Sequence, residues 1–245
     1  MNRNILTIII LLISMCAAIN AYAANYEKDQ FTTPEGKKLE ITFVKHGTLM
    51  LNYDGKVIHI DPVSDYADYT QMPKADLILI THEHGDHLDM KAIKNIWKDN
   101  TQIISNEGAY KTIQKGETMK NGNKKQVTPY LFLEAVPAYN NTPGREKFHP
   151  KHRDNGYILN MGGMRIYVAG DTEDIEELKE LKNIDVAFLP MNQPYTMTPE
   201  QGARAAKMFN PKVLYPYHYG DTKIEELKTL LSDTPKIEVR IRQLQ

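Results

Sequence analysis

The amino-acid sequence predicts one α/β domain built on packed sheets, and three observations predict it. Short apolar runs of strand length recur along the chain, helical segments lie between some of them, and no repeat or linker interrupts the order. The chain has 245 residues and a formal net charge of -1, a length that fits one large domain or two small ones, and its composition gives no sign of disorder.

A polar segment runs from Asn25 to Lys38. Three antiparallel strands are then expected at Leu39 to Lys45, Thr48 to Asn52 and Lys56 to Ile60, with breaks at Gly47 and at the hairpin signal Asp54-Gly55. Asp76 to Ile80 reads as a buried strand, Met90 to Lys98 as a helix and Gln102 to Ser105 as a short strand. The Lys, Asn and Gly-rich stretch from Lys115 to Gln126 reads as a solvated loop or hairpin tip. Further strands are expected at Leu131 to Val136, Gly156 to Met161, Met164 to Ala169, Val186 to Leu189 and Val213 to Pro216. Helices are expected at Ile175 to Leu181 and Pro199 to Phe209, the second opened by a Thr198 cap, Pro199 at its first position and Gln201 closing a capping box. A last helix, Glu225 to Leu231, and a strand, Ile237 to Ile241, complete the order.

Residues 1–23 differ in kind: Arg3 precedes the apolar stretch Ile5 to Ile13, and Ala21-Tyr22-Ala23 offers the small residues a signal peptidase reads. Cleavage after Ala23 and export, to the periplasm or the medium, are expected. A membrane anchor is the alternative, but Thr7, Ser14 and Asn20 interrupt the run short of the roughly 20 residues a span needs, so no stable span is expected in the mature chain. Cys16 is the single cysteine, and a chain beginning at Ala24 can form no disulfide; lipid attachment at Cys16 is a minor alternative. Losing Arg3 moves the formal charge from -1 to -2, which implies no nucleic-acid or bulk membrane partner.

The chemistry is concentrated in Thr81-His82-Glu83-His84-Gly85-Asp86-His87, at the end of the apolar strand Asp76 to Ile80. A rigid strand delivers His82 and His84 to one edge, Gly85 permits a tight turn, and Asp86 and His87 enter from the helix onset. Imidazoles and a carboxylate suit zinc and similar first-row metals, and four in one run exceed what one site normally takes from a single loop. Two adjacent metal sites are therefore expected. Two later segments also end apolar strands with ligand types: Gly170-Asp171-Thr172 and Pro216-Tyr217-His218-Tyr219-Gly220. Taken singly, Asp171 reads as a helix cap and His218 as packing; beside the first cluster both read as ligands, Asp171 bridging two metals.

The pattern His82-x-His84-x-Asp86-His87, then Gly170-Asp171-Thr172, then His218, resembles the metallo-β-lactamase superfamily over nearly the whole mature chain. Lys45-His46-Gly47-Thr48 and Pro216 to Gly220 resemble the branch containing ascorbate-6-phosphate lactonase and N-acyl phosphatidylethanolamine phospholipase D. The resemblance implies a four-layered αββα sandwich over residues 24–245, with His82 and His84 on a first metal, Asp86, His87 and His218 on a second, and Asp171 between them. Asp61 fits the early aspartate that supports the metal-binding loop, and His46 and Tyr195 become neighbours of the site or of the substrate by the same resemblance. His59 is read as structural.

The family pattern also implies a further histidine on the first metal, after a strand such as Leu131 to Val136, where this chain has Asn140. His149 is the better substitute of the two histidines in that interval, though a loop histidine beside Arg145, Lys147, Lys151 and Arg153 could equally face solvent or substrate. The basic run itself reads either as a solvated loop or as a holder for a phosphate or carboxylate.

Two divalent ions, zinc first with manganese or iron as alternatives, roughly 3.5 to 4 Å apart, would supply a metal-bound hydroxide to attack an ester, lactone or phosphodiester of a small or lipid-derived substrate. Asp171 would fix the metals and Asp86 would orient the hydroxide or shuttle its proton. The rivals are a noncatalytic metal-binding module with the same fold and an iron-dependent oxidoreductase.

Overall fold

A computed structural model describes residues 26–245; the expected signal peptide and Cys16 lie outside the described residues. Among the described residues, fourteen strands form two seven-stranded sheets, and each sheet takes its strands in chain order. The first holds β1 (Lys28–Thr32), β2 (Lys38–Lys45), β3 (Thr48–Tyr53), β4 (Lys56–Ile60), β5 (Leu77–Ile80), β6 (Gln102–Ser105) and β7 (Glu117–Thr118). The second holds β8 (Lys124–Thr128), β9 (Leu131–Ala138), β10 (Asp154–Met161), β11 (Met164–Val168), β12 (Val186–Pro190), β13 (Val213–Tyr217) and β14 (Glu238–Val239). Each begins as an antiparallel meander and finishes parallel, from β4 onward in the first and from β11 in the second. The parallel part requires crossovers, and these carry the helices. They are α1 (Met90–Ile96), α2 (Glu107–Ile113), a 3-10 helix (Glu176–Glu180), α3 (Pro199–Phe209) and α4 (Glu226–Leu230).

Strand alternation divides the apolar side chains into layers. In β5, Leu77 and Leu79 point into the large core between the sheets, while Ile78 and Ile80 pack with Ala92, Ile93 and Ile96 of α1 in a second cluster. All four β5 residues are buried, as a strand covered on both faces requires. On the other side, Ala203, Ala205 and Phe209 of α3 join Val186, Phe188 and Leu214. Helices therefore cover both outer faces, and the architecture is the αββα sandwich of one domain.

Local chemistry sets the element ends. Asp89 caps α1 through Lys91 N, Asn106 caps α2 through Ala109 N, and Thr198 with Gln201 forms the expected capping box on α3. Several expectations are corrected. The polar segment contains edge strand β1, whose exposed alternate residues pair with β2. A helix, α2, lies where none is expected, because only Ala109 and Ile113 of its seven residues are buried and the apolar period is too short to read. The stretch Lys115 to Gln126 contributes β7 and the start of β8. Ile175 to Leu181 forms a 3-10 turn without a side-chain cap, so Asp171 is not engaged as one.

Candidate metal centre

The parallel strands β4, β5, β12 and β13 end along one edge of the sandwich, and the chemistry-bearing residues follow those ends. Asp61 directly follows β4 in a left-handed conformation, φ 46°. Its carboxylate accepts from Thr81 N at 2.8 Å, from Thr81 Oγ1 at 2.7 Å and from His87 Nδ1 at 2.8 Å. This sets the start of the His82 to His87 loop and fixes Nδ1 as the protonated nitrogen of His87. His87 Nε2 then faces Asp171 Oδ1 at 3.3 Å.

His82 and His84 follow β5 with His82 Nε2 and His84 Nδ1 only 3.1 Å apart. The His149 ring completes this side, 5.3 Å from the His82 ring and 5.0 Å from the His84 ring. Asp171, after β11, sits at the middle: Oδ2 is 3.3 Å from His149 Nε2 and 3.5 Å from His218 Nε2. Asp86 Oδ2 lies 3.3 Å from both His218 Nε2 and His46 Nε2. Three triads place their ligand atoms within 4.8 Å of one another: His82, His84 and His149; His82, His87 and Asp171; His46, Asp86 and His218.

Two of these differ from the implied assignment. His87 groups with His82 and Asp171, although its Nε2 is also 3.9 Å from Asp86 Oδ2, and His46 joins Asp86 and His218. The His46 ring lies 3.7 Å from that of His218, and the two residues are also joined through His218 N donating to His46 O at 3.0 Å. Leu244 O in turn accepts from His46 N at 2.6 Å, so the C-terminal segment holds this loop. Gly47 is required here by close approach: a Cβ would stand 2.9 Å from His87 Cε1 and 3.2 Å from His218 Cδ2.

The residues present fit a bound cation. His87 Nε2, His149 Nε2 and Asp171 Oδ1 are buried without a hydrogen-bond partner among the described residues, and both imidazole nitrogens stand 3.3 Å from the Asp171 carboxylate. Burial, then neighbouring charge, pushes the His82 and His84 imidazoles down, leaving them neutral as ligation requires. Burial pushes the Asp171 carboxyl up, but the charges of His218 and His87 outweigh it and hold it well below the usual range. For Asp86, burial is likewise outweighed by the contacts with His218 and His46. Burial pushes His87 down, yet the carboxylates of Asp171 and Asp61 raise it well above its ordinary value. That ring is placed to meet positive charge, whether proton or metal.

His149 reaches the site because its loop is tied at several points. Asn140 N donates to His149 O at 2.8 Å, and Asn140 Nδ2 donates to Tyr195 O at 2.7 Å. Glu173, its side chain fully buried, accepts from Asn141 N at 2.8 Å, Thr142 N at 2.6 Å and Arg145 Nη1 at 3.2 Å. Arg145 is thus a structural cation. Lys151 pairs with Glu177 at 2.9 Å, and Arg153 grips Asp154 at 2.7 and 2.8 Å while reaching His84 Nε2 at 3.2 Å. His59 is structural, as expected, with its Nε2–H on Pro73 O at 3.0 Å.

The candidate site residues therefore meet at one place: the other six expected ligands around Asp171, His46 against Asp86, and Tyr195 at the rim of the adjoining pocket. That pocket is also lined by Phe148 and Asn192, which the sequence did not single out. Phe148 precedes a candidate ligand, a usable signal; Asn192 offers none.

The family model described as the beta-lactamase superfamily domain matches residues 40–218. A UPF0173 metal-dependent hydrolase of Thermococcus kodakarensis is 32% identical over 222 residues, which span 84% of this chain and 96% of the relative. One from Enterococcus faecalis is 35% identical over 179 residues, 68% and 79% of the two chains. Among solved structures, one assigned to the metal-dependent hydrolases, from Parabacteroides distasonis, is 63% identical, with a TM-score of 0.88 over 90% of this chain and 100% of that one. Igni18, a metallo hydrolase from Ignicoccus hospitalis, is 26% identical with a TM-score of 0.71, over 84% and 95%. Fold, clustered ligand types and these relatives agree: the chain belongs to the metallo-β-lactamase superfamily, among its UPF0173 metal-dependent hydrolases.

Proposed function

We propose that the protein is an exported hydrolase that uses two divalent ions, zinc first, to cleave an ester, lactone or phosphodiester of a small or lipid-derived substrate. The observation that carries this reading is the central place of Asp171, 3.3 Å from both His87 Nε2 and His149 Nε2 and 3.5 Å from His218 Nε2, with His82 and His84 grouped beside His149. His82, His84 and His149 would hold one ion, His87, Asp86 and His218 the other, with Asp171 shared. When bound, such ions lower the pKa of water toward neutrality and polarise the bond under attack.

The chain's own residues do the rest. Asp61 fixes the tautomer and plane of His87, and Arg145 with Glu173 holds the His149 loop in place. Asp86 keeps 40% of its side chain exposed at the pocket, so it orients the attacking water and moves its proton toward the leaving group. His46 positions Asp86 through the Nε2 contact at 3.3 Å. Nothing favours the noncatalytic reading: Asn140 marks a relocated histidine, and an open pocket adjoins the ligand cluster.

The test is elemental analysis of protein purified without chelator, beside an ester, lactone and phosphodiester screen. About two equivalents of metal, falling to about one in His149→Ala and further in Asp171→Ala, with turnover of a member of the screen, is the expected result. Metal content unaffected by both substitutions overturns it.

A further inference from the structure

Resting on the hydrolase reading, the structure assigns a substrate class: we infer that the part of the substrate beyond the reacting group is uncharged and carries an aryl or short alkyl group. The candidate is thus a neutral lactone or carboxylic ester rather than a phosphorylated one.

The pocket beside the ligand cluster has a volume of about 230 Å³, below the usual range for drug-sized ligands. Beyond the ligand types, its wall is Phe148, Asn192 and Tyr195. The Phe148 and Tyr195 rings meet edge to face, 5.0 Å between centroids at 75°. Tyr195 is 44% exposed, a high value for a large apolar ring, on a backbone pinned by Asn140 and by its own N–H on Asn192 O at 2.8 Å. A rigidly mounted aromatic corner open to solvent is what an apolar group of a ligand covers.

Asn192 supplies the polar handle. Its carboxamide makes no hydrogen bond among the described residues, and its Oδ1 packs against Gly220, where a Cβ would stand 2.7 Å away. It is a half-buried amide available to a carbonyl or hydroxyl of the ligand.

Charge accounting excludes a dedicated phosphate holder in the basic run. Arg145 is bound to Glu173 and Gln193, Lys151 to Glu177, and Arg153 to Asp154 and to Phe148 O. Lys147 alone has no carboxylate partner among the described residues, and its ammonium lies 5.1 Å above the Phe148 ring. One exposed lysine on a flexible stem does not make the bidentate, preorganised grip that phosphate sites use.

The test measures binding and turnover separately on the metal-loaded protein. Calorimetry compares a phenyl-substituted γ-lactam, the unreactive counterpart of a lactone, with the same lactam phosphorylated on its side chain. The neutral lactam is expected to bind about tenfold more tightly, and Tyr195→Ala or Asn192→Ala to weaken it by about tenfold at unchanged metal content, while Lys147→Ala leaves it unchanged. Equal or tighter binding of the phosphorylated lactam overturns the assignment, as does failure of both to bind or indifference to the Tyr195 and Asn192 changes. Turnover of the matching lactones judges the hydrolase reading independently: a phosphorylated lactone cleaved in preference sinks only the substrate class. Neutral lactam bound as expected with no lactone, ester or phosphodiester cleaved sinks the hydrolytic reading and leaves the pocket assignment standing.

Discussion

Asn140 Nδ2 lies 2.7 Å from the carbonyl oxygen of Tyr195, so the residue standing where the superfamily pattern points to a histidine clamps two loops together. The same amide nitrogen reaches Arg145 O at 3.3 Å, and the backbone N–H holds His149 O.

Asn140→Ala should therefore act on stability and on the pocket together. It leaves Tyr195 O without its donor, while Arg145 O keeps Phe148 N, at a cost of about 1–3 kcal/mol. A lowered Tm accompanied by weaker binding of pocket ligands is expected, and thermal denaturation alongside calorimetry checks both.

Asp61→Asn preserves shape but replaces one acceptor oxygen with a donor, so either Thr81 or His87 loses its partner. Metal affinity is expected to fall about 10- to 100-fold, as it does when an outer hydrogen bond to a ligating imidazole is removed. Competition against a chromophoric chelator reads this directly.

Gly47→Ala places a methyl group 2.9 Å from the His87 ring. Either the ring or the His46 loop must shift, at a cost of about 1–3 kcal/mol for overpacking. Activity should fall more than stability, which paired denaturation and rate measurements separate.

His59 should make stability pH-dependent in a defined window. Burial pushes its pKa down to about 4, and its Nδ1 has no partner among the described residues. Between its ordinary value of 6.5 and about 4 the unfolded chain binds a proton that the folded chain does not. Stability is therefore intact above that window and falls as pH drops through it, by up to about 3 kcal/mol at 1.36 kcal/mol per unit. Urea denaturation of wild type and His59→Gln at about pH 7 and about pH 4.5 should show a smaller pH difference in the variant.

Much of this was legible in the sequence, and for physical reasons. The buried strands were, because β5 is Leu-Ile-Leu-Ile, and so was the motif that follows it, because three imidazoles and a carboxylate at a strand end have few other uses. The helix Pro199–Phe209 was readable to its ends through its capping box. Less was visible where tertiary contacts decide. β1 exists because Lys28 to Thr32 find partners in β2, and α2 because Asn106 caps a segment with little apolar pattern. That Arg145 and Lys151 are spent on Glu173 and Glu177 depends on residues far along the chain. The company His46 keeps with Asp86 was likewise hidden, since 40 positions separate them.

His46, Asp61 and His218 all hold left-handed backbone, with φ of 53°, 46° and 45°. Conformational preference at each would favour glycine, at a saving of about 1–2 kcal/mol per position. At Asp61 three buried hydrogen bonds offset that preference, whereas His46 and His218 meet it with rings 3.7 Å apart, so the backbone at these corners is bent against its own inclination in order to aim side chains at one another.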